Sequence, residues 1–340
     1  MSLIYLFFLV IFIIFLNKFL IKKNILLSET GDHHQKFASL SKVPLSGGIF
    51  IFLGFCYFIN ENIYSFLLFS SAVLILGIFS DLKLIKSASI RFLFQILIVF
   101  SFIVFNEIQI NDTRIFLLDK ILSNNIINYA FVTFCILVVI NGSNFIDGMN
   151  TLASGYYLLV LTIIFYLNLN QNIIIEEISI NYILLLLSII FILNIFNKIF
   201  LGDAGSYLLG FSFGIFLIDT YNLNEGISPF FIILLLWYPC YENLFSILRK
   251  FNFKKSPLLA DKNHLHQLIF LFFKKKYRLN NLYSNNLTTF FITFFNFLIF
   301  ILASMSPTKS EVQVAYIFLG VFLYTISYIK LLQLKAKKYI

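Results

Sequence analysis

The chain has 340 residues, of which 60% are apolar, 19% aromatic and only 12% charged. Soluble globular domains carry about 25% charged residues, so this composition excludes an ordinary water-soluble domain and predicts an all-α, polytopic integral membrane protein. The net charge of +9 is read as a topology signal, with no nucleic-acid partner inferred from it. Cys56, Cys135 and Cys240 all lie inside apolar stretches, which excludes a disulfide framework and a zinc cluster.

A bilayer core about 30 Å thick needs roughly 20 apolar residues per helix. The first stretch, 3–21, is longer than the h-region of a secretory signal and has no small-residue cleavage site after it, so it reads as a retained helix. Further spans are expected at 45–60, 64–80, 90–106, 126–143, 152–168, 180–197, 204–221, 229–248, 288–305 and 313–333. That makes about eleven transmembrane helices, or ten if the second and third, joined only by Glu61 to Ile63, form one irregular unit.

Orientation follows from lysine and arginine, which are retained in the cytoplasm. With the N-terminus outside, Lys22, Lys23, Lys36, Lys42, Lys83, Lys86, Lys198, the basic loop from Arg249 to Arg278 and the tail from Lys335 to Lys338 all fall inside. Only Arg114, Lys120 and Lys309 fall outside. The reading is one transmembrane domain, 1–340, whose cytosolic loops lie at about 22–44, 81–90, 141–151, 198–206 and 249–287, the last being the sizeable soluble segment.

Small polar clusters recur on that inward side, on several different helices. Val43-Pro-Leu-Ser-Gly-Gly48 follows His33, His34, Lys36 and Lys42, and suits either close helix packing or a phosphate contact by the lysines. Asp81 and its lysines, after the third span, read by themselves more as a solvated helix end than as part of a site. In the segment from Asn141 to Thr151, residues Asn141, Asn144 and Asp147 are spaced by three and share one helix face. Such a polar face at the mouth of an apolar span is a site hypothesis, with helix capping as the alternative. Asp203, between Gly202 and Gly205 at the start of the eighth span, reads as an N-cap or as a carboxylate holding magnesium against a diphosphate. His264 and His266, without cysteines, make a poor zinc site and a better anion site, with Arg249 and Lys250 upstream. Three inward carboxylates with cytosolic cations are what phosphoryl transfer needs, because a carboxylate-held Mg²⁺ and the cations neutralise phosphate charge.

In this order, over about residues 33–268, the clusters resemble the polyprenyl-phosphate N-acetylhexosamine-1-phosphate transferases, which include O-antigen and common-antigen initiating enzymes and the phospho-MurNAc-pentapeptide transferase. The resemblance implies a fold of ten or eleven helices in the bacterial inner membrane with a cytosolic active site. It also implies Mg²⁺ (or Mn²⁺) dependence, a UDP-N-acetylhexosamine donor, undecaprenyl phosphate as acceptor, surrounding membrane lipid, and release of UMP; a homodimer stays open. Asp81 matches the second of the family's paired aspartates, Asp147 the first aspartate of its Asn-x-x-Asn-x-x-Asp-Gly motif, and Asp203 the metal-binding aspartate of Gly-Asp-x-Gly-Ser. Phe200 corresponds to a residue that stacks on uracil, and His264 and His266 to the histidine loop of the O-antigen branch.

On this resemblance the lipid phosphate attacks the sugar-linked phosphorus and UMP leaves. Asp203, with Asp81, would hold the metal, and Asp81 and Asp147 would position acceptor or metal. Lys36, Lys42, Asn144, Asn150, Phe200, Arg249, His264 and His266 would bind the donor. The chain departs from the family pattern at Ser80, where an aspartate is usual, at Asn150 and Thr151, where aspartate and glycine are usual, and at Gln267, where a third histidine is usual. These departures keep a second expectation alive, a non-catalytic or altered-specificity relative that binds or transports lipid-linked saccharides.

Overall fold

The computed structural model describes residues 2–28, 42–58, 64–149, 151–170, 173–174, 180–252 and 263–337. Among them are fourteen helices and, apart from a single bridge between Leu27 and Pro44, no β-structure. In chain order these are α1 (Ser2–Lys23), α2 (Gly47–Phe58), α3 (Tyr64–Asp81), α4 (Ala88–Phe105), α5 (Phe116–Leu122), α6 (Asn125–Ile146), α7 (Leu152–Leu169), α8 (Ile180–Ile195), α9 (Gly202–Asn222), α10 (Pro229–Leu235), α11 (Trp237–Asn252), α12 (Leu265–Lys276), α13 (Asn281–Ser304) and α14 (Ser310–Ala336). The helix is the expected solution for so apolar a chain, since it satisfies backbone polar groups within one segment where lipid offers no partner.

Each expected span falls on helix, but among the described residues only seven helices, or eight if a bent pair counts as one, are long and apolar enough to cross a bilayer. At 1.5 Å per residue, α2 and α8 are about 18 Å and 24 Å long, short of a 30 Å core. In α9, glycine, serine and aspartate dilute the apolar residues. That helix is central: it is buried along nearly its whole length and packs on α2, α3, α6, α7 and α10. The outer helices turn large side chains outward, as Phe7, Phe8 and Phe15 do on α1 and Phe318 and Phe322 on α14, the pattern of a lipid-facing surface.

The expected span 229–248 is broken, with α10 and α11 meeting at 74° about Leu236. Pro239 has no N–H to give the carbonyl of Leu235, so the helix cannot run through; instead the Tyr156 hydroxyl donates to that carbonyl at 2.9 Å. The 249–287 loop, expected to be soluble, contains α12, whose Leu265 to Phe270 are buried. The short helix α5 in an outer connection was not foreseen from the sequence.

Candidate active site

Four helix ends meet at one end of the bundle: the C-termini of α3 and α6 and the N-termini of α4 and α9. Asp81, the last residue of α3, accepts the backbone N–H of Asp203 at Oδ1 (2.9 Å) and of Ala204 at Oδ2 (3.1 Å). The first N–H groups of a helix have no partner of their own, so Asp81 caps α9 from a neighbouring helix. The approach is close enough to require glycine. Gly202 has φ +68°, and a Cβ there would lie 2.6 Å from Asp81 Oδ2.

Asp203 is therefore free of capping its own helix, and its carboxylate gathers side chains from three others. Asn144 Nδ2 donates to Oδ1 at 2.7 Å, Arg91 Nη1 donates to Oδ2 at 3.1 Å, and the Ser80 hydroxyl donates to the same Oδ2 while accepting from Arg91. Asn144 also reaches Ser206 Oγ at 3.2 Å. On the same face of α6, Asn141 Nδ2 donates to Gln95 Oε1 at 3.1 Å. Ser80, Asp81 and Asp203 are 6%, 2% and 6% exposed, so these contacts are made largely out of water. Asp147, just beyond the end of α6, is half-buried; burial, with the nearby charges of Asp203 and Asp81, pushes its carboxyl above the usual carboxylate range.

Ser80 thus occupies its position productively, bridging Arg91 to Asp203. Ser80→Ala removes two hydrogen bonds worth about 1 kcal/mol each and leaves the Arg91–Asp203 pair, so initial-rate assays are expected to show a loss of about five- to thirtyfold.

The donor set suits magnesium. It is oxygen only, and among the described residues no group of three or more histidine, cysteine or carboxylate side chains forms a metal cage. Magnesium takes one or two carboxylates and completes its shell with phosphate oxygens and water. Asp203, with Asp81 or Asp147 beside it, fits that demand. Asp81 has each oxygen on a backbone N–H of α9 and so also holds Asp203 in place.

The histidine segment lies against the same α6–α7 turn. A Cβ on Gly148 would be 3.4 Å from His266 Nε2, and the rings of His264 and Phe145 are 5.1 Å apart. His264 and His266 stack in parallel with centroids 5.4 Å apart. Arg249 anchors this region, donating to Asn263 O at 2.7 Å and to the Tyr328 hydroxyl at 3.0 Å. The buried Lys250 lies 5.7 Å from the Phe145 ring and is the closer cation to the turn.

Phe200, expected to stack on a base, is 7% exposed and packs with Leu20, Leu26, Val43 and Leu45. Its backbone is zipped to the Val43–Gly48 segment, with Phe200 N–H on Pro44 O at 2.9 Å and Gly47 N–H on Phe200 O at 3.0 Å. Lys42 donates to Asn24 Oδ1 at 3.2 Å. Lys36 and Asn150 lie outside the described residues. Sequence reasoning missed Arg91 and Glu242. Arg91 is a lone charge in an apolar helix but sits in its first turn, where a topology-setting charge also sits, and Glu242 shares α11 with Asn243, Arg249 and Lys250.

The fold and this cluster define an all-α polytopic membrane protein with an acidic, amide-rich site where four helix ends meet. Residues 63–221 match glycosyl transferase family 4. An undecaprenyl-phosphate alpha-N-acetylglucosaminyl 1-phosphate transferase of Thermotoga maritima is 29% identical over 227 residues, 66% of this chain and 67% of that protein. Proteins of the same description from Salmonella typhi and Escherichia coli K12 are 26% and 25% identical, over 67% and 76% of this chain and 65% and 72% of theirs. The matched stretches thus span about two thirds of most of these relatives' lengths. The chain is similar to glycosyl transferase family 4 over just under half of its length.

Proposed function

We propose that this protein transfers the sugar 1-phosphate of a UDP-N-acetylhexosamine to undecaprenyl phosphate, releasing UMP, at the cytosolic face of a bacterial inner membrane, and so begins an envelope polysaccharide. The observation that carries the reading is the meeting of Asp81 and Asp203 with Arg91 and Asn144 at one spot, with Asp147 near enough for both carboxylates to act on it by charge. The relatives' names supply the substrates. The placement of Lys22, Lys23, Lys83, Lys86 and Lys198 at the same helix ends as the site supports a cytosolic position.

Mg²⁺, held by Asp203 with Asp81 or Asp147, would neutralise the donor diphosphate when bound. Arg91 adds a fixed positive charge beside Asp203, and Asp81 keeps the start of α9 rigid beneath it. No general base is required of the protein, since a phosphate monoester with a second pKa near about 6 is largely dianionic at neutral pH. A lipid phosphate oxygen bonds to the sugar-linked phosphorus, the bond from that phosphorus to the UMP oxygen breaks, and UMP departs with the electron pair.

An apolar cavity of about 250 Å³ has room for part of the lipid chain. It lies between α5, α6, α9, α10 and α11 at the Leu236 bend, with Phe134, Ile136, Gly214, Ile233 and Leu244 in its walls. A side chain at Gly214 would fill it, since a Cβ there already lies 3.4 Å from Ile136 Cγ1. Gly214→Leu is expected to raise KM for undecaprenyl phosphate about tenfold and to leave KM for the UDP-sugar within twofold, measured by initial rates on the purified variant.

The proposal is tested by incubating purified protein with Mg²⁺, undecaprenyl phosphate and each of several UDP-N-acetylhexosamines. It requires a lipid-linked sugar diphosphate by mass spectrometry, with UMP in equal amount. Lipid-linked sugar movement without UMP would favour the binding or transport alternative.

A further inference from the structure

Glu242 is a fully buried carboxylate in α11. A buried carboxylate needs partners, and it has two: His264 Nδ1 at 2.8 Å on Oε1 and the Tyr324 hydroxyl, which donates to Oε2 at 2.8 Å. An ionised carboxylate can only accept, so the ring proton facing it sits on Nδ1. His264 itself opens α12 with its backbone N–H on Gln267 Oε1 at 3.4 Å, which fixes its backbone, and its ring is braced between Phe145 and His266. Backbone, ring plane and tautomer are all set, and a histidine needed only for packing calls for none of this.

We propose that Glu242 is a positioning residue of the transferase site, holding His264 with Nδ1–H toward α11 and Nε2 free for a polar atom of the nucleotide-sugar donor. The inference rests on the transferase reading and adds the residue through which His264 acts. Other charged or titratable groups around the pair are His266 on α12, Tyr238 and Arg249 on α11, and Lys335 on α14, the last two bonded to Asn263 beside His264. None of them takes the Nδ1 contact.

The test uses the full chain in detergent, labelled with ¹⁵N-histidine. With only four histidines, the His264 signal is assigned by its loss in His264→Gln. Wild type is expected to show the Nδ1–H tautomer at His264, and Glu242→Gln to gain the Nε2–H form. UDP-N-acetylglucosamine affinity, measured by calorimetry without turnover, is expected to fall about tenfold in Glu242→Gln. Undecaprenyl phosphate KM is expected to stay within twofold. An Nε2–H tautomer in wild type, a spectrum that needs no variant to fold, overturns the proposal, as does unchanged donor affinity in a folded Glu242→Gln. Wild type that binds no UDP-sugar and transfers nothing would instead bring down the transferase reading.

Discussion

Asp203→Asn is expected to lower sugar-phosphate transfer by about 10³-fold, the scale of losing a main electrostatic contact to the reacting group. The substitution keeps the shape of the side chain, and the amide oxygen can still accept from Asn144 or Ser80. What it removes is the negative charge that would hold magnesium and that pairs with Arg91 at 3.1 Å. The arginine side chain, 16% exposed, is then left with Asp81 as the nearest carboxylate, which is already committed to α9. A stability loss of about 1–3 kcal/mol should accompany the change. Thermal unfolding of the purified variant separates the two effects: a small fall in Tm with near-complete loss of transfer is the expected pair.

Gly77→Val should be among the most disruptive single changes outside the carboxylates. A Cβ at Gly77 would lie 2.3 Å from Ala204 Cα and 2.6 Å from Ala204 N, so α3 and α9 would have to separate. The obstacle is backbone, which cannot rotate away as a side chain can, and overpacking of this kind costs about 1–3 kcal/mol or more. The function suffers further because Ser80 and Asp81 lie on the next turn of α3, with Asp203 directly across. Displacement of about 1 Å at such a site is expected to cost about 10²-fold in transfer rate. Initial rates and Tm measured on the same preparation check both figures.

Much of this was legible in the sequence because polarity is conspicuous in so apolar a chain. Asp81 and Asp203, each at the end of an apolar run, are carboxylates the fold brings together, and the i, i+3 spacing of Asn141 and Asn144 does place them on one face of α6, with Asp147 just past its end. The partnerships were not legible. Arg91 meets a residue 112 positions away, and nothing local distinguishes it from a topology-setting charge. Glu242 was hidden in the same way inside an expected span. The bend at Leu236 could have been read from Pro239, whose missing N–H forbids a continuous helix. Phe200 shows the opposite failure, a motif position whose ring the fold buries among leucines and a valine. The α9 sequence, read as one span among eleven, is the helix around which the others pack, and its glycines and serines are what let them come close.

Mg²⁺-dependent exchange of labelled UMP into UDP-N-acetylhexosamines, using purified protein with and without undecaprenyl phosphate and with Asp203→Asn as control, is the decisive measurement of sugar-phosphate transfer. Exchange is expected to require lipid, metal and Asp203 together. Folded wild-type protein that exchanges UMP into no donor, or an Asp203→Asn variant that exchanges as well as wild type, would contradict that expectation.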